Sequence, residues 1–501
     1  MTTLLALLVL AGSGGFYVYH QLNGNLTQVA LSTGGTKSTG TEKADAFGHK
    51  PINILIIGTD SRTGAANCKL GGDCPTGTGT GQNADVEMVA HVSADRSNIT
   101  VMSVPRDTMA NLPACTDPDT KASVGARYGQ INSSLEYGPA CTVASVHQLT
   151  GITIDHLVMV DFAGVIAMSD SVGGVSVCVD NNVFDPYSHL KLTKGKHVLK
   201  GLSALEFVRT RHGFGDGGDL GRTYAQHAYL SATIRSLKSK GVLLNPASVY
   251  KLAQAATKAL TVDTGLGTIP KLLGLATDVN KVPTDRVTFT TMQTSPDPAN
   301  ANRVVVAPAA KTLFATIIND QSLTKAKSST TATATPSPSA TADADVSGLV
   351  VKIENASGQS GRASAVAATL KTDKFGKGTT IGNAPVTAVT TTIKYGTGKK
   401  AQAQALATLL KLPDTALHAS TTTTGVTLSI GSDWVKGKTY PSSAAAAAER
   451  TRTALSDSHA QTATKNSCVP VSTQKTVTVN GIPMTPIQAF DASPTKKLSA
   501  K

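Results

Sequence analysis

Apolar residues in this chain recur at two different periods, and the places where the period changes divide it. Asn53-Ile-Leu-Ile-Ile-Gly-Thr-Asp60-Ser-Arg62 is a short apolar run that ends in a turn residue, an acid and a base. It predicts a buried strand with polar groups at its carboxyl end, where open α/β sheets place their sites. Ala84-Asp85-Val-Glu-Met-Val-Ala-His-Val and Ile99-Thr-Val-Met-Ser-Val-Pro-Arg106-Asp107 are two β-rich runs separated by Ala94-Asp-Arg-Ser-Asn98. They predict a hairpin in which Asp85 enters the first strand as Arg106 leaves the second, so that both lie at one end of the sheet and Asp60 can join them. Beyond, helical spacing from Cys141 to Leu149 stops at Gly151. Ile154 to Val160 predicts a strand, Phe162 to Ser171 a helix, Val175 to Val179 a strand and Tyr224 to Leu237 an amphipathic helix. This alternation predicts an α/β fold with a mixed central sheet flanked by helices.

The remaining segments change character. Residues 1–20 are mostly apolar, with no basic start and no small-residue cleavage site. They fall short of the roughly 20 apolar residues of a spanning helix and read as a membrane signal anchor whose cytoplasmic beginning is missing. Tyr17 and Tyr19 would sit at the outer interface. The first domain is expected over 48–322, and 323–346 is a Thr/Ala/Ser/Pro linker that cannot bury a core. Residues 347–436 predict a smaller α/β domain, with helices at 364–370 and 401–410 and strands at 386–394 and 426–430. Residues 437–501 open with an alanine run and are expected to be weakly structured, with Thr476 to Val479 able to add a strand.

The densest chemistry lies in Phe207-Val-Arg-Thr-Arg-His212, Asp219-Leu-Gly-Arg222 and Gln226, which bring Arg209, Arg211 and Arg222 to the rim of one predicted helix pair. Guanidinium groups grip phosphate with planar forks of donors, and several together can neutralise a pyrophosphate. A solvated basic face is the alternative. Asp60 and Asp85 facing these arginines suggest a divalent metal bridging to phosphate oxygens. Asp107 is expected to orient Arg106, Asp219 to support Arg222 from a helix start, and His212 to be structural.

The net charge of +13 is not gathered in one tail, and aromatics make up only 4% of the 501 residues. No basic stretch is interleaved with stacking aromatics, which argues against nucleic acid. Acidic wall polymers, anionic lipid headgroups, or a basic surface that serves only solubility remain. None of the six cysteines is spaced Cys-x-x-Cys, against structural zinc and in favour of an oxidising exterior. Cys68 with Cys74 would close the loop between Asp60 and Asp85, and Cys115 with Cys141 would tie down the segment after Arg106. Cys178 and Cys468 either pair or stay free.

Taken together, Ile54-Leu-Ile-Ile-Gly-Thr-Asp60-Ser-Arg62, Ser103-Val-Pro-Arg106-Asp107, Ile131-Asn-Ser with Tyr137-Gly138, Val160-Asp-Phe162, Gly173-Gly-Val175 and Arg209-Thr-Arg211 resemble the LytR-CpsA-Psr family. The form is the actinobacterial one that also carries a LytR C-terminal domain. The resemblance implies a single-pass membrane protein with both domains outside the cell. It implies a phosphotransferase that moves a glycopolymer, such as a teichoic acid or arabinogalactan, from a polyprenyl pyrophosphate carrier onto peptidoglycan, with a tunnel for the polyprenyl tail. Carried over to this chain, it implies that Asp60 and Asp85 hold Mg²⁺, which two carboxylates would exchange for Mn²⁺. Arg106, Arg209, Arg211, Arg222 and Gln226 would hold the pyrophosphate, with Arg62 as a further contact. The chain departs from the family in having Ala84-Asp-Val86 where Ser-Asp-Thr is usual, and in the extra loop that holds Cys68 and Cys74. A polyprenyl pyrophosphate hydrolase would use the same residues, and a non-catalytic wall-binding or regulatory protein is the third reading.

Overall fold

The computed structural model describes residues 16–31, 48–61, 65–68, 70, 82–239, 246–324, 350–372, 379–385, 388, 390–413, 416–434, 436–441, 443–464 and 467–500. The chain packs as two units, one made of Met1–Val306 with His459–Lys501 and the other of Ala307–Ser458.

The first unit is built on eight strands: β1 (Thr27–Val29), β2 (Ile52–Thr59), β3 (Ala84–Val92), β4 (Ile99–Val104), β5 (His156–Val160), β6 (Leu260–Asp263), β7 (Val287–Thr291) and β8 (Gln461–Thr462). Their spatial order is β1-β6-β5-β2-β3-β4-β7-β8. The sheet is mixed as expected, since β2 runs parallel to β5 and antiparallel to β3, and β4 runs parallel to β7. Alternation along β2 sends Leu55 and Ile57 to one face, both fully buried, and Ile54 and Ile56 to the other. The β3–β4 hairpin turns where expected, with Val92 opposite Ile99 and the Ser93 hydroxyl accepting the N–H groups of Ser97 and Asn98, each at 3.0 Å.

One irregularity in the sheet positions the site. Gly58 pairs with Val86 and Thr59 with Ala84, so Asp85 is the extra residue of a β-bulge. A bulge re-aims a side chain that regular pleating would send elsewhere. The strands approach closely here: a Cβ on Gly58 would lie 2.9 Å from Val86 Cβ.

Among its helices, α1 (Pro139–Thr150), α2 (Phe162–Ser171), α3 (Leu202–Arg209) and α4 (Asp219–Ser239) position the site. Gly151 ends α1 in the left-handed region at φ 73°, its N–H bonded to His147 O. Asp161 caps α2 by accepting the Gly164 N–H at 2.7 Å. Leu230 and Ile234 of α4 pack on the face that carries Ile54 and Met88, close to buried Phe289 of β7. Burying each such side chain contributes about 1.5–3 kcal/mol. A second cluster, with Val175, Val177, Phe207 and Phe214, packs under the other side of α4.

The second unit is a separate small α/β domain. Its five strands lie in the order Thr380–Asn383, Val351–Asn355, Val426–Ile430, Thr392–Tyr395 and Leu417–Ala419, with helices Arg362–Thr372 and Lys400–Leu410. Trp434 is fully buried in its core, and the Arg362 guanidinium lies 5.0 Å from that ring.

Cys115 is bonded to Cys141 and Cys178 to Cys468, while the pairing expected of Cys68 involves Cys74, outside the described residues. So do residues 1–15 of the expected anchor; residues 16–24 are helical, and no helix among the described residues is long and apolar enough to cross a membrane. The linker expected over 323–346 also falls outside them beyond residue 324. One expectation needs correction. Residues 459–500 are not weakly structured: they add β8 to the main sheet edge, form a hairpin of Val477–Val479 with Ile482–Met484, and end in the helix Pro486–Asp491. Apolar residues there are too sparse to signal a core of their own, but Val469 and Val471 complete the cluster around Phe207 and Phe214.

Because Phe289 is buried between β7 and α4, Phe289→Ala should lower the unfolding free energy by roughly 3–5 kcal/mol in a urea titration. A loss well under about 1 kcal/mol would contradict this packing.

Candidate active site

Between the sheet and helices α2, α3 and α4 lies a cavity of about 430 Å³. Ile56, Gly58, Val86 and Met88 of the sheet line it, as do Phe162 and Val165 of α2, Leu205 and Val208 of α3, and Tyr229 and Leu230 of α4. Its polar lining includes Asp85, Arg106, Arg209, Arg211, Arg222 and Gln226, with Asp185 and His212.

Asp85 is the centre of that polar part. Its Oδ1 is paired with Arg106 Nη1, lies 3.6 Å from Arg222 Nη1 and 3.9 Å from Arg211 Nη2, and its backbone carbonyl accepts Arg222 Nη2 at 2.5 Å. Asp219 opens α4, where the helix dipole favours an acid. It lies 2.5 Å from Arg222 Nη2 and accepts the Arg106 backbone N–H at 3.3 Å. Asp219 therefore supports both arginines. Asp107 does less than expected: it sits 3.8 Å from Arg106 Nε, and its other oxygen takes Gln130 Nε2 at 2.8 Å and Arg303 Nη1 at 3.2 Å. Its carboxylate is turned toward the strand that carries Arg303, away from the cluster's centre.

Arg209 stands over the Phe162 ring, 4.6 Å from its centroid, a stacking arrangement that holds the guanidinium against an apolar wall. Gln226 is buried and donates to Val208 O at 3.3 Å. His212 Nδ1 lies 3.9 Å from Asp185 and its ring packs 4.6 Å from that of Tyr187. Asp60 follows Thr59, the partner of Ala84, and its Oδ1 accepts the Asn83 N–H at 3.0 Å. Arg62 lies outside the described residues.

Phe162 as the platform for Arg209 and Asp185 as a second acid were not singled out from the sequence. Asp185 is fully buried, accepts the Thr210 hydroxyl at 2.5 Å and the His212 N–H at 3.3 Å, and so grips the chain on both sides of Arg211. These partners are 25 and 27 residues away, and no local pattern announces them.

The charge balance is strained. Burial, then the Arg222 and Arg106 guanidiniums, pull Arg211 below the usual arginine range, while Asp219 and Asp85 oppose the shift. Glu87, fully enclosed, is pushed well above the ordinary carboxylate range by burial and then by Asp219. His227, bonded to Ser103 Oγ at 2.8 Å, is driven down to about 3 by burial and then by His459, and is neutral near pH 7.

Among the described residues no three His, Cys, Asp or Glu side chains converge. Magnesium characteristically uses one or two carboxylates and completes its shell with water and substrate phosphate. Two hard-oxygen donors, Asp60 and Asp85, at adjoining strand ends beside the arginines suit that requirement.

The model of the LytR_cpsA_psr family matches residues 17–321. The chain belongs to that family. A second match, to the LytR cell envelope-related transcriptional attenuator domain, covers 348–434. Among curated relatives, the cell wall biosynthesis protein LcpA of Corynebacterium glutamicum is 32% identical over 260 residues, 48% of this chain and 49% of that protein. The polyisoprenyl-teichoic acid–peptidoglycan teichoic acid transferase TagV of Bacillus subtilis is 30% identical over 262 residues, 51% of this chain and 60% of that protein. The match thus spans about half the length of these relatives. Among solved structures, a LytR-Csp2A-Psr enzyme from Actinomyces oris aligns with a TM-score of 0.45 at 25% identity, over 58% of this chain and 95% of that one.

His227 yields a pH prediction. Its folded pKa lies below the ordinary value of 6.5, so as pH falls the unfolded chain gains the proton first and stability is lost from about 6.5 down toward about 3. Urea unfolding at pH 7 and pH 5 should therefore show a smaller acid loss in His227→Gln than in the unsubstituted protein, and equal losses would contradict a buried neutral imidazole.

Proposed function

We propose that this protein is a phosphotransferase that moves a glycopolymer from a polyprenyl pyrophosphate carrier onto peptidoglycan at the outer face of the cell membrane. One observation carries the reading: an apolar cavity whose polar lining is an arginine cluster around Asp85. A ligand that suits both parts is an apolar chain ending in a multiply charged phosphate group. The names of the relatives, a teichoic acid transferase and a cell wall biosynthesis protein, support the same reaction class.

In the proposed reaction an acceptor sugar hydroxyl attacks the phosphorus next to the glycan. A new P–O bond joins glycan phosphate to acceptor, the bridging P–O bond breaks, the hydroxyl proton is lost to a base, and polyprenyl phosphate leaves. Phosphoryl transfer asks the protein mainly for positioning and charge stabilisation. Arg106, Arg211 and Arg222 are assigned to the pyrophosphate oxygens, Arg209 to the same group from its Phe162 platform, and Gln226 to orientation beside Val208. Asp219 holds Arg222 and the Arg106 backbone in place. Asp60 and Asp85 would hold Mg²⁺, which supplies neutralisation of charge on phosphate oxygens. The polyprenyl tail would lie against Met88, Val165, Leu205 and Leu230.

The test is transfer of a labelled glycan from a synthetic polyprenyl pyrophosphate donor to a peptidoglycan fragment, with and without Mg²⁺. Metal-dependent coupling is expected, and Asp85→Ala and Arg222→Ala should each lower turnover by about 10²–10³-fold. Release of free glycan phosphate would point instead to a hydrolase. Donor binding with no turnover would point to a wall-binding or regulatory protein.

A further inference from the structure

The loop between α3 and α4 carries Arg211 at one end and Asp219 at the other, and between them lie Gly213, Gly215, Gly217 and Gly218. Gly215 and Gly217 take φ of 57° and 81°. Glycines cost the most conformational entropy to order, so such a loop has little shape of its own. Part of its shape comes from the distant segment that follows Cys468, which is itself tied to Cys178 by a disulfide. Phe214 bridges to Val471, the Gly215 N–H donates to Pro470 O at 3.3 Å, and the Ser472 N–H donates to Gly213 O at 3.0 Å. The Thr476 hydroxyl donates to His212 O at 2.6 Å, and a Cβ on Gly217 would lie 1.9 Å from Thr476 Cγ2.

The contributing segment is itself anchored at several points. Val469 N–H donates to Cys178 O at 2.8 Å and Val471 N–H to the Asp180 carboxylate at 2.8 Å. Arg235 Nη1 of α4 donates to Ala463 O at 2.6 Å, and Tyr224 of the same helix bonds His459. Buried Lys191 holds the far end through Ser493 O and Lys496 O, at 2.5 and 3.1 Å. Neither family match reaches this segment, since they end at 321 and 434.

We propose that residues 459–500 are a brace that sets the position of Arg211 and Asp219, and through Asp219 that of Arg222 and the Arg106 backbone, so that the phosphate site is completed by a segment outside both matched domains. The second unit is then an insertion in the first, which the chain leaves at Val306 and re-enters at His459. Thr476 is a positioning residue: it touches His212 O and not the cluster itself.

This rests on the arginines being a phosphate site, and the experiment separates the two claims. The full chain, Thr476→Val, Thr476→Ser and Arg211→Ala are compared for affinity toward inorganic pyrophosphate by calorimetry, and for amide exchange at residues 213–218. Thr476→Val keeps the side-chain shape but removes the donor, and should weaken pyrophosphate binding by up to about tenfold. It should also speed exchange at Gly215 and Gly217 while leaving β2 and β3 protected. Thr476→Ser should restore both. If Arg211→Ala binds pyrophosphate as well as the unsubstituted chain, the phosphate reading fails, and loop exchange alone still decides the brace. Thr476→Val with unchanged loop exchange, or with exchange raised evenly across the first unit, would overturn the brace.

Discussion

Arg106, Arg211 and Arg222 repel one another, and the fold holds them around one carboxylate. Two like unit charges about 4 Å apart cost about 4 kcal/mol at an effective dielectric near 20, and Arg222 is buried, with little water to screen it. Asp85 reaches all three through Oδ1 because it is the bulged residue of β3. The bulge in turn depends on the missing Cβ at Gly58, which lets Val86 approach. Asp85 and Asp219 together do not match three guanidiniums, so the site keeps a net positive charge, and Arg211 is lowered first by burial and then by repulsion from Arg222 and Arg106. An incoming anion with several phosphate oxygens relieves it more fully than Asp85 can.

The apolar part of the cavity follows from the same sheet. β2 and β3 present Ile56, Val86 and Met88 on one face, and α4 crosses with Tyr229 and Leu230 on one side and Arg222 and Gln226 one to two turns earlier. One helix thus lines the cavity with charge at its start and with apolar side chains farther along. That gradient matches the amphiphilic ligand proposed above, and Asp219 sits at the helix start, where the dipole, the Arg222 guanidinium and the Arg106 backbone N–H all favour a carboxylate.

Much of this was legible in the chain. The period-2 runs and the 94–98 turn define the hairpin that brings Asp85 and Arg106 together, and helical spacing over 141–149 with its glycine stop and over 162–171 marks the helices found at 139–150 and 162–171. The arginines of 209–222 stand out by spacing alone. Less legible were contacts without a local signature. Phe162 under Arg209, Asp185 against Thr210 and Asp107 turned toward Arg303 join residues that are distant in sequence. The segment 459–500 was misread for a related reason: its few valines cannot build a core, and only in place do they fill one built by Val175, Phe207 and Phe214. The hints were Cys468, whose partner Cys178 was not determined by spacing, and Thr476 to Val479, expected as able to add a strand and found as the strand Val477–Val479.

The central claim, that one site combines an arginine-bound pyrophosphate with an apolar channel, is tested most directly by calorimetric titration of the protein with geranylgeranyl pyrophosphate, geranylgeraniol and inorganic pyrophosphate. The account predicts that the lipid pyrophosphate binds more tightly than either part alone, and that Arg211→Ala reduces its affinity together with that of inorganic pyrophosphate while leaving the alcohol unaffected. Equal affinity for the alcohol and the pyrophosphate, or binding untouched by Arg211→Ala, would contradict it.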